Sequence, residues 1–141
     1  LRQEADSALR IARWLETRPE VAQVLCPMLP SSPGHDLWAR DFTGGCGLFS
    51  FVLKGGTLTD RNRFIDALNL FAIGYSWGGF ESLVVPIEPA RHRDIMPWPP
   101  ESQGDADRYG VRLAVGLEDV GDLIADLDQA FAAMRQARTG G

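Results

Sequence analysis

The chain has 141 residues, a formal net charge of −5, and 45% apolar against 23% charged residues. That is the size and balance of one globular domain with a real core, and the acidic excess argues against a nucleic-acid surface. Its longest apolar runs are far too short to cross a bilayer, and the opening Leu1-Arg2-Gln3-Glu4-Ala5-Asp6 carries no apolar leader segment.

Leu1, Ala5, Ala8, Leu9, Ala12 and Leu15 recur at helical spacing, which predicts an amphipathic first helix. No Ser, Thr, Asp or Asn precedes Leu1 to cap it, so its first turns are expected to belong to a longer protein. Val21 to Leu25 reads as a short strand, and the proline-dense stretch 26–34 as a loop. A short helical piece follows over 36–40. Residues 47–54 predict a strong strand, with Phe49, Phe51 and Leu53 on one face and Leu48, Ser50 and Val52 on the other. Thr57 or Thr59 can cap the next helix, whose apolar stripe is read as Phe64, Ala67, Leu68 and Phe71. A bend at Ser76-Trp77-Gly78-Gly79 precedes a strand over 82–87. Residues 88–110 are polar and irregular, with Pro97, Pro99 and Pro100, and are expected to be mobile. A last strand over 111–115 leads to Asp119, the cap of a final helix with Val120, Leu123, Ile124, Leu127, Phe131 and Met134 on one face. The order predicts an α+β fold: a small, mainly antiparallel sheet covered by helices on one face, its other face free to meet a partner.

Two segments are costly unless something binds there. Gly78-Gly79 loses backbone entropy on folding and offers no side chain to pack. Arg112 brings a permanent charge into the apolar strand Val111-Arg112-Leu113-Ala114-Val115. Strand alternation sends Val111, Leu113 and Val115 to one face and Arg112 to the other, where a guanidinium can hold a carboxylate with two parallel hydrogen bonds. The plainer alternatives are a salt bridge from Arg112 to Asp107, Glu118 or a similar acid, and a Trp77 that is only core. Lys54, the only lysine among fourteen basic residues, stands at a strand end before Gly55-Gly56, a poor place for a reactive amine. His35 and His92 stand alone without metal spacing, and Asp41 to Gly47 lacks the lysine and spacing of a phosphate loop. Cys26 and Cys46 do not make a disulfide scaffold, so a reducing cytoplasm is the expected setting.

Ser32-Pro33-Gly34-His35, Arg40-Asp41-Phe42-Thr43-Gly44, Gly47-Leu48-Phe49-Ser50-Phe51, Ser76-Trp77-Gly78-Gly79-Phe80-Glu81-Ser82-Leu83 and Arg112-Leu113 through Gly116-Leu117-Glu118-Asp119 follow one another in a familiar order. With Asp122 to Leu127 they resemble the C-terminal domain of the Cys/Met-metabolism family of pyridoxal-phosphate enzymes, of fold type I. Trp77 and Asp41-Phe42-Thr43-Gly44 are similar to the β-lyase branch, where the γ-synthase and γ-lyase branches usually carry leucine for the tryptophan. The resemblance implies that residues 1–141 form the C-terminal domain of a larger enzyme that cleaves a carbon–sulfur bond of cystathionine, giving homocysteine, pyruvate and ammonia. It implies Arg112 as the ligand of the substrate α-carboxylate, Ser76 and Trp77 beside it, and Tyr75 lining the same pocket. It places the cofactor lysine and phosphate grip in a preceding large domain, so no covalent cofactor and no activity are expected of this chain alone. The implied partners are a sulfur amino acid, the large domain and further copies in a homotetramer, with no nucleic acid or membrane. A γ-type enzyme of the same family, a stand-alone carboxylate-binding module and a self-association domain are the rival readings.

Overall fold

The computed structural model describes residues 1–91, 95 and 107–140. Helix α1 (Arg2–Glu16) turns its stripe of Ala5, Ala8, Ile11, Ala12 and Leu15 inward. After β1 (Val21–Leu25), the short α2 (His35–Asp41) starts at Gly34, whose φ of 81° is left-handed. Strand β2 (Leu48–Leu53) leads to α3 (Leu58–Asp66). There the Thr57 hydroxyl accepts from Asp60 N–H at 3.1 Å, and the Asp60 carboxylate accepts from Thr57 N–H at 2.9 Å. This reciprocal box settles the cap on Thr57 rather than Thr59. Strands β3 (Ala72–Ile73) and β4 (Leu83–Ile87) follow, then a 3₁₀ turn at Pro89–Arg91, β5 (Gly110–Ala114) and α4 (Val120–Thr139). Asp119 caps α4 as the sequence predicts, accepting from Gly121 N–H at 2.8 Å.

The five strands form one sheet in the order β1-β2-β5-β4-β3, with only the β3–β4 pair parallel. This is the expected α+β architecture. Phe49, Phe51, Leu53, Val84, Val111 and Leu113 face the helices and join Ile11, Leu15, Leu123 and Leu127 in one core. At its centre Phe64 and Phe131 lie 4.6 Å apart between ring centroids, with Phe51 at 5.7 and 6.1 Å. Such a cluster adds directional contacts to its burial.

Two elements depart from the sequence reading. The stripe Phe64-Ala67-Leu68-Phe71 does not lie on one helix, because α3 ends at Asp66. The buried Asp126 carboxylate of α4 accepts from Asn69 N–H at 2.9 Å and Leu70 N–H at 2.8 Å, drawing the chain off the helical path. Phe71 still reaches the core, from beyond the helix. The two-residue β3 is exposed throughout and has no alternation to betray it. Pro86 fits in β4 for a related reason: the carbonyls of Ser82 and Val84 accept from Ala72 N–H and Gly74 N–H on the β3 side, and β3 has ended by position 86, so no ladder bond is lost there. In the stretch predicted as mobile, Pro89–Arg91 is a 3₁₀ turn and Gly110 begins β5. His92, Pro97, Pro99 and Pro100 lie outside the described residues.

Candidate substrate-binding site

The site follows from the alternation of β5. Val111 and Leu113 are fully buried under the helices, so Arg112 rises from the opposite face of the sheet. Register places it in a row Leu25, Ser50, Arg112, Val85 across four strands. Arg112 is half-buried, and its Nη2 donates to the carbonyl of Tyr75 at 2.8 Å and to that of Ser76 at 3.3 Å. Its Nε is buried and has no hydrogen-bond partner among the described residues. A concavity of about 590 Å³ opens here, lined by Arg112, Ser50, Leu25, Tyr75, Val85 and the turn Pro86 to Pro89. Its walls are apolar apart from the hydroxyls of Ser50 and Tyr75, Glu88 and the guanidinium, a composition that can take a small anion with an apolar or extended tail.

Neither Asp107 nor Glu118 forms the salt bridge to Arg112. Asp107 accepts instead from Gly55 N–H at 2.8 Å, and Glu118 is engaged with Ser82. Among the described residues no carboxylate lies within ion-pair distance of Arg112. Among the described residues Arg112 Nη1 makes no hydrogen bond, so the guanidinium keeps hydrogen-bonding capacity beyond the loop carbonyls.

The loop between β3 and β4 carries the other predicted residues. Trp77 is 63% exposed, so the reading of Trp77 as core is overturned for this domain. Tyr75 and Phe80 are exposed to 79% and 70%, and Ser76 is exposed as well. Gly78 adopts φ +76°, the conformation for which the turn needs a glycine. Arg112, Tyr75 and Ser76 are thus brought together, Ser76 through its carbonyl. Trp77 rides on the same loop without lining the concavity.

The far end of the loop is tied down by residues that the sequence reading did not assign. The Ser82 side chain is buried, and its hydroxyl donates to Glu118 Oε2 at 2.7 Å while accepting from Gly116 N–H at 2.9 Å. Ser82 N–H donates to Glu118 Oε1 at 2.8 Å, and Leu117 N–H donates to the Phe80 carbonyl at 2.9 Å. The only sequence signal was an acid two residues after a glycine at a strand-to-helix corner.

Other candidates have structural roles. Lys54 is exposed in a turn and does not line the concavity. His35 Nδ1 donates to the Pro27 carbonyl at 2.8 Å and its ring stacks on Trp38. Asp41 takes a two-pronged bond from Arg40, which holds its carboxyl below the usual range. Burial pushes the Cys26 thiol up, away from thiolate chemistry, and Cys46 is exposed and free. Among the described residues no cluster of His, Cys, Asp and Glu could hold a metal, and no helix is long and apolar enough to cross a membrane.

The domain thus presents the Arg112 guanidinium on the sheet face opposite the helices, beside a glycine loop tethered at both ends. The chain belongs to the Cys/Met metabolism PLP-dependent enzyme family, whose model matches residues 1–132. It is 49% identical over 135 residues to the cystathionine beta-lyase of Escherichia coli (strain K12), covering 94% of this chain and 33% of that protein. It is 40% identical over 127 residues to the cystathionine gamma-lyase of Homo sapiens, covering 90% of this chain and 31% of that one. An L-alanine/L-glutamate racemase of Wolbachia pipientis wMel is 35% identical over 136 residues, covering 95% and 32%. The chain therefore spans about a third of the length of the curated relatives it matches.

Proposed function

We propose that this chain is the substrate-carboxylate-binding part of a pyridoxal-phosphate-dependent carbon–sulfur β-lyase that acts on cystathionine. The observation that carries the reading is Arg112: an arginine rooted in the central strand, lining the concavity, with no acidic partner among the described residues. Arg112 would grip the α-carboxylate. Tyr75 and the loop tied to Arg112 would bound the space beside it, with Trp77 biasing the substrate toward the β-lyase side. Several β-lyases among the relatives, and tryptophan at position 77, favour that side over γ-cleavage.

The residues present do not fit the cofactor itself. Lys54, the chain's one lysine, stands in an exposed turn outside the concavity, so no amine here can hold pyridoxal phosphate covalently. Bound elsewhere in the full-length protein, the cofactor supplies the electron sink. What these residues do is bind and orient the amino acid and exclude water from one side of it. The same reading makes the full-length enzyme a cytoplasmic homotetramer and this chain alone inactive.

The test is Arg112→Ala in the full-length protein. Catalytic efficiency on cystathionine should fall by roughly ten- to a hundredfold or more, as the loss of a charge-assisted pair implies, with the cofactor absorption retained. Undiminished efficiency would remove Arg112 from the site.

A further inference from the structure

We infer that Glu118 is a positioning residue: acting through Ser82, it fixes the loop of residues 75–80 where Arg112 meets Tyr75 and Ser76. The inference rests on the substrate-site reading above and adds a part that this reading does not need. The loop is held at both ends by β5 and its exit. At its entry Arg112 Nη2 bonds the carbonyls of Tyr75 and Ser76. At its far end the Glu118 carboxylate accepts both Ser82 donors, the N–H at 2.8 Å and the hydroxyl at 2.7 Å.

Donor and acceptor counting gives the arrangement its direction. The Ser82 hydroxyl has one proton and spends it on Glu118, which leaves a lone pair for Gly116 N–H at 2.9 Å. A carboxylate is the group that accepts on both arms. Gln keeps one accepting arm. Ala keeps neither and strands two donors of Ser82, whose exposure is 1%. The packing allows no slack. A Cβ on Gly116 would lie 2.2 Å from the Phe80 carbonyl oxygen and 2.7 Å from Glu118 Oε2, so any side chain there pushes the loop outward. Without the Glu118 carboxylate, the far end would keep the Leu117-to-Phe80 and Ala72-to-Ser82 backbone bonds and the bond from Gly116 N–H to the Ser82 hydroxyl, with none to hold the two Ser82 donors. The six loop residues bury almost nothing of their own, so they cannot hold their position by packing.

The experiment uses the full-length protein with Glu118→Ala, Glu118→Gln and Gly116→Ala, read by amide hydrogen exchange and by kinetics on cystathionine. In Glu118→Ala, exchange over residues 74–82 should accelerate roughly tenfold while β2 and the middle of α4 keep wild-type rates. Glu118→Gln should recover part of the protection, and Gly116→Ala should reproduce the loss from the other side. KM should rise more than kcat falls. Unchanged exchange over 74–82 in Glu118→Ala, or an equal rise throughout the domain, would overturn the inference. A wild-type protein that turns over no cystathionine would sink the β-lyase reading, and the exchange pattern would still decide the role of Glu118.

Discussion

Arg112 Nη2 lies 2.8 Å from the carbonyl oxygen of Tyr75, so the central strand of the sheet also holds the loop beside it. Nη2 is spent on the loop, and among the described residues Nη1 makes no hydrogen bond. Lysine cannot supply both groups, since its point charge lacks the planar fork. Arg112→Lys in the full-length enzyme should recover less than about a tenth of the efficiency lost in Arg112→Ala, although the charge is kept. Steady-state kinetics on both variants checks this, and full recovery by lysine would show that only charge matters.

Trp77 should matter for substrate choice and little for stability. With 63% of its surface exposed, Trp77→Leu should shift stability by about 1 kcal/mol or less, against the 3–5 kcal/mol typical of a truncated core aromatic. The ratio of efficiencies between cystathionine and other sulfur amino acids should change, with the cofactor retained. Melting temperature and kinetics measured together separate the two effects. An unchanged ratio with a large stability loss would make Trp77 a packing residue at a surface that the rest of the protein covers.

Asp126 should be among the most damaging polar sites to remove. Its carboxylate is 5% exposed and accepts from Asn69 N–H and Leu70 N–H, with Phe71 N–H at 3.4 Å. Asp126→Ala strands those donors and should cost about 2–4 kcal/mol, read from denaturant unfolding. Asp126→Asn, which keeps one acceptor, should cost less.

Acid should weaken the link between α3 and α4. Arg138 Nη2 donates to Asp60 at 2.9 Å and, with Thr57, holds that carboxyl at about 2. The folded pKa lies below the unfolded value near 4. The stabilisation is therefore complete above about pH 4 and is lost as pH falls toward 2. Asp60→Asn should flatten the stability profile over that window and leave its slope near neutrality unchanged. Unfolding curves at graded pH decide this.

Most of the framework was legible because it obeys simple periods. The stripe of α1, the alternation of β2 and β5 and the Asp119 cap are each written in local sequence, and the alternation of Val111-Arg112-Leu113 put Arg112 on the face opposite the helices. What was not legible depends on contacts distant in sequence. The end of α3 is set by Asp126, 60 residues beyond Asp66, and β3 is too short and too exposed to show a pattern. Glu118 was read only as a possible partner for Arg112, because nothing local reveals a bond to Ser82 across 36 positions. Trp77 has the composition of a core residue and the position of a surface one, which burial alone could decide.

Product analysis on the full-length protein tests the central claim most directly. Loaded with pyridoxal phosphate and given cystathionine, it should release pyruvate and homocysteine in equal amounts, while the 141-residue chain alone releases neither. Cofactor-loaded protein that yields no pyruvate, or yields cysteine and 2-oxobutanoate instead, would contradict the assignment as a β-lyase.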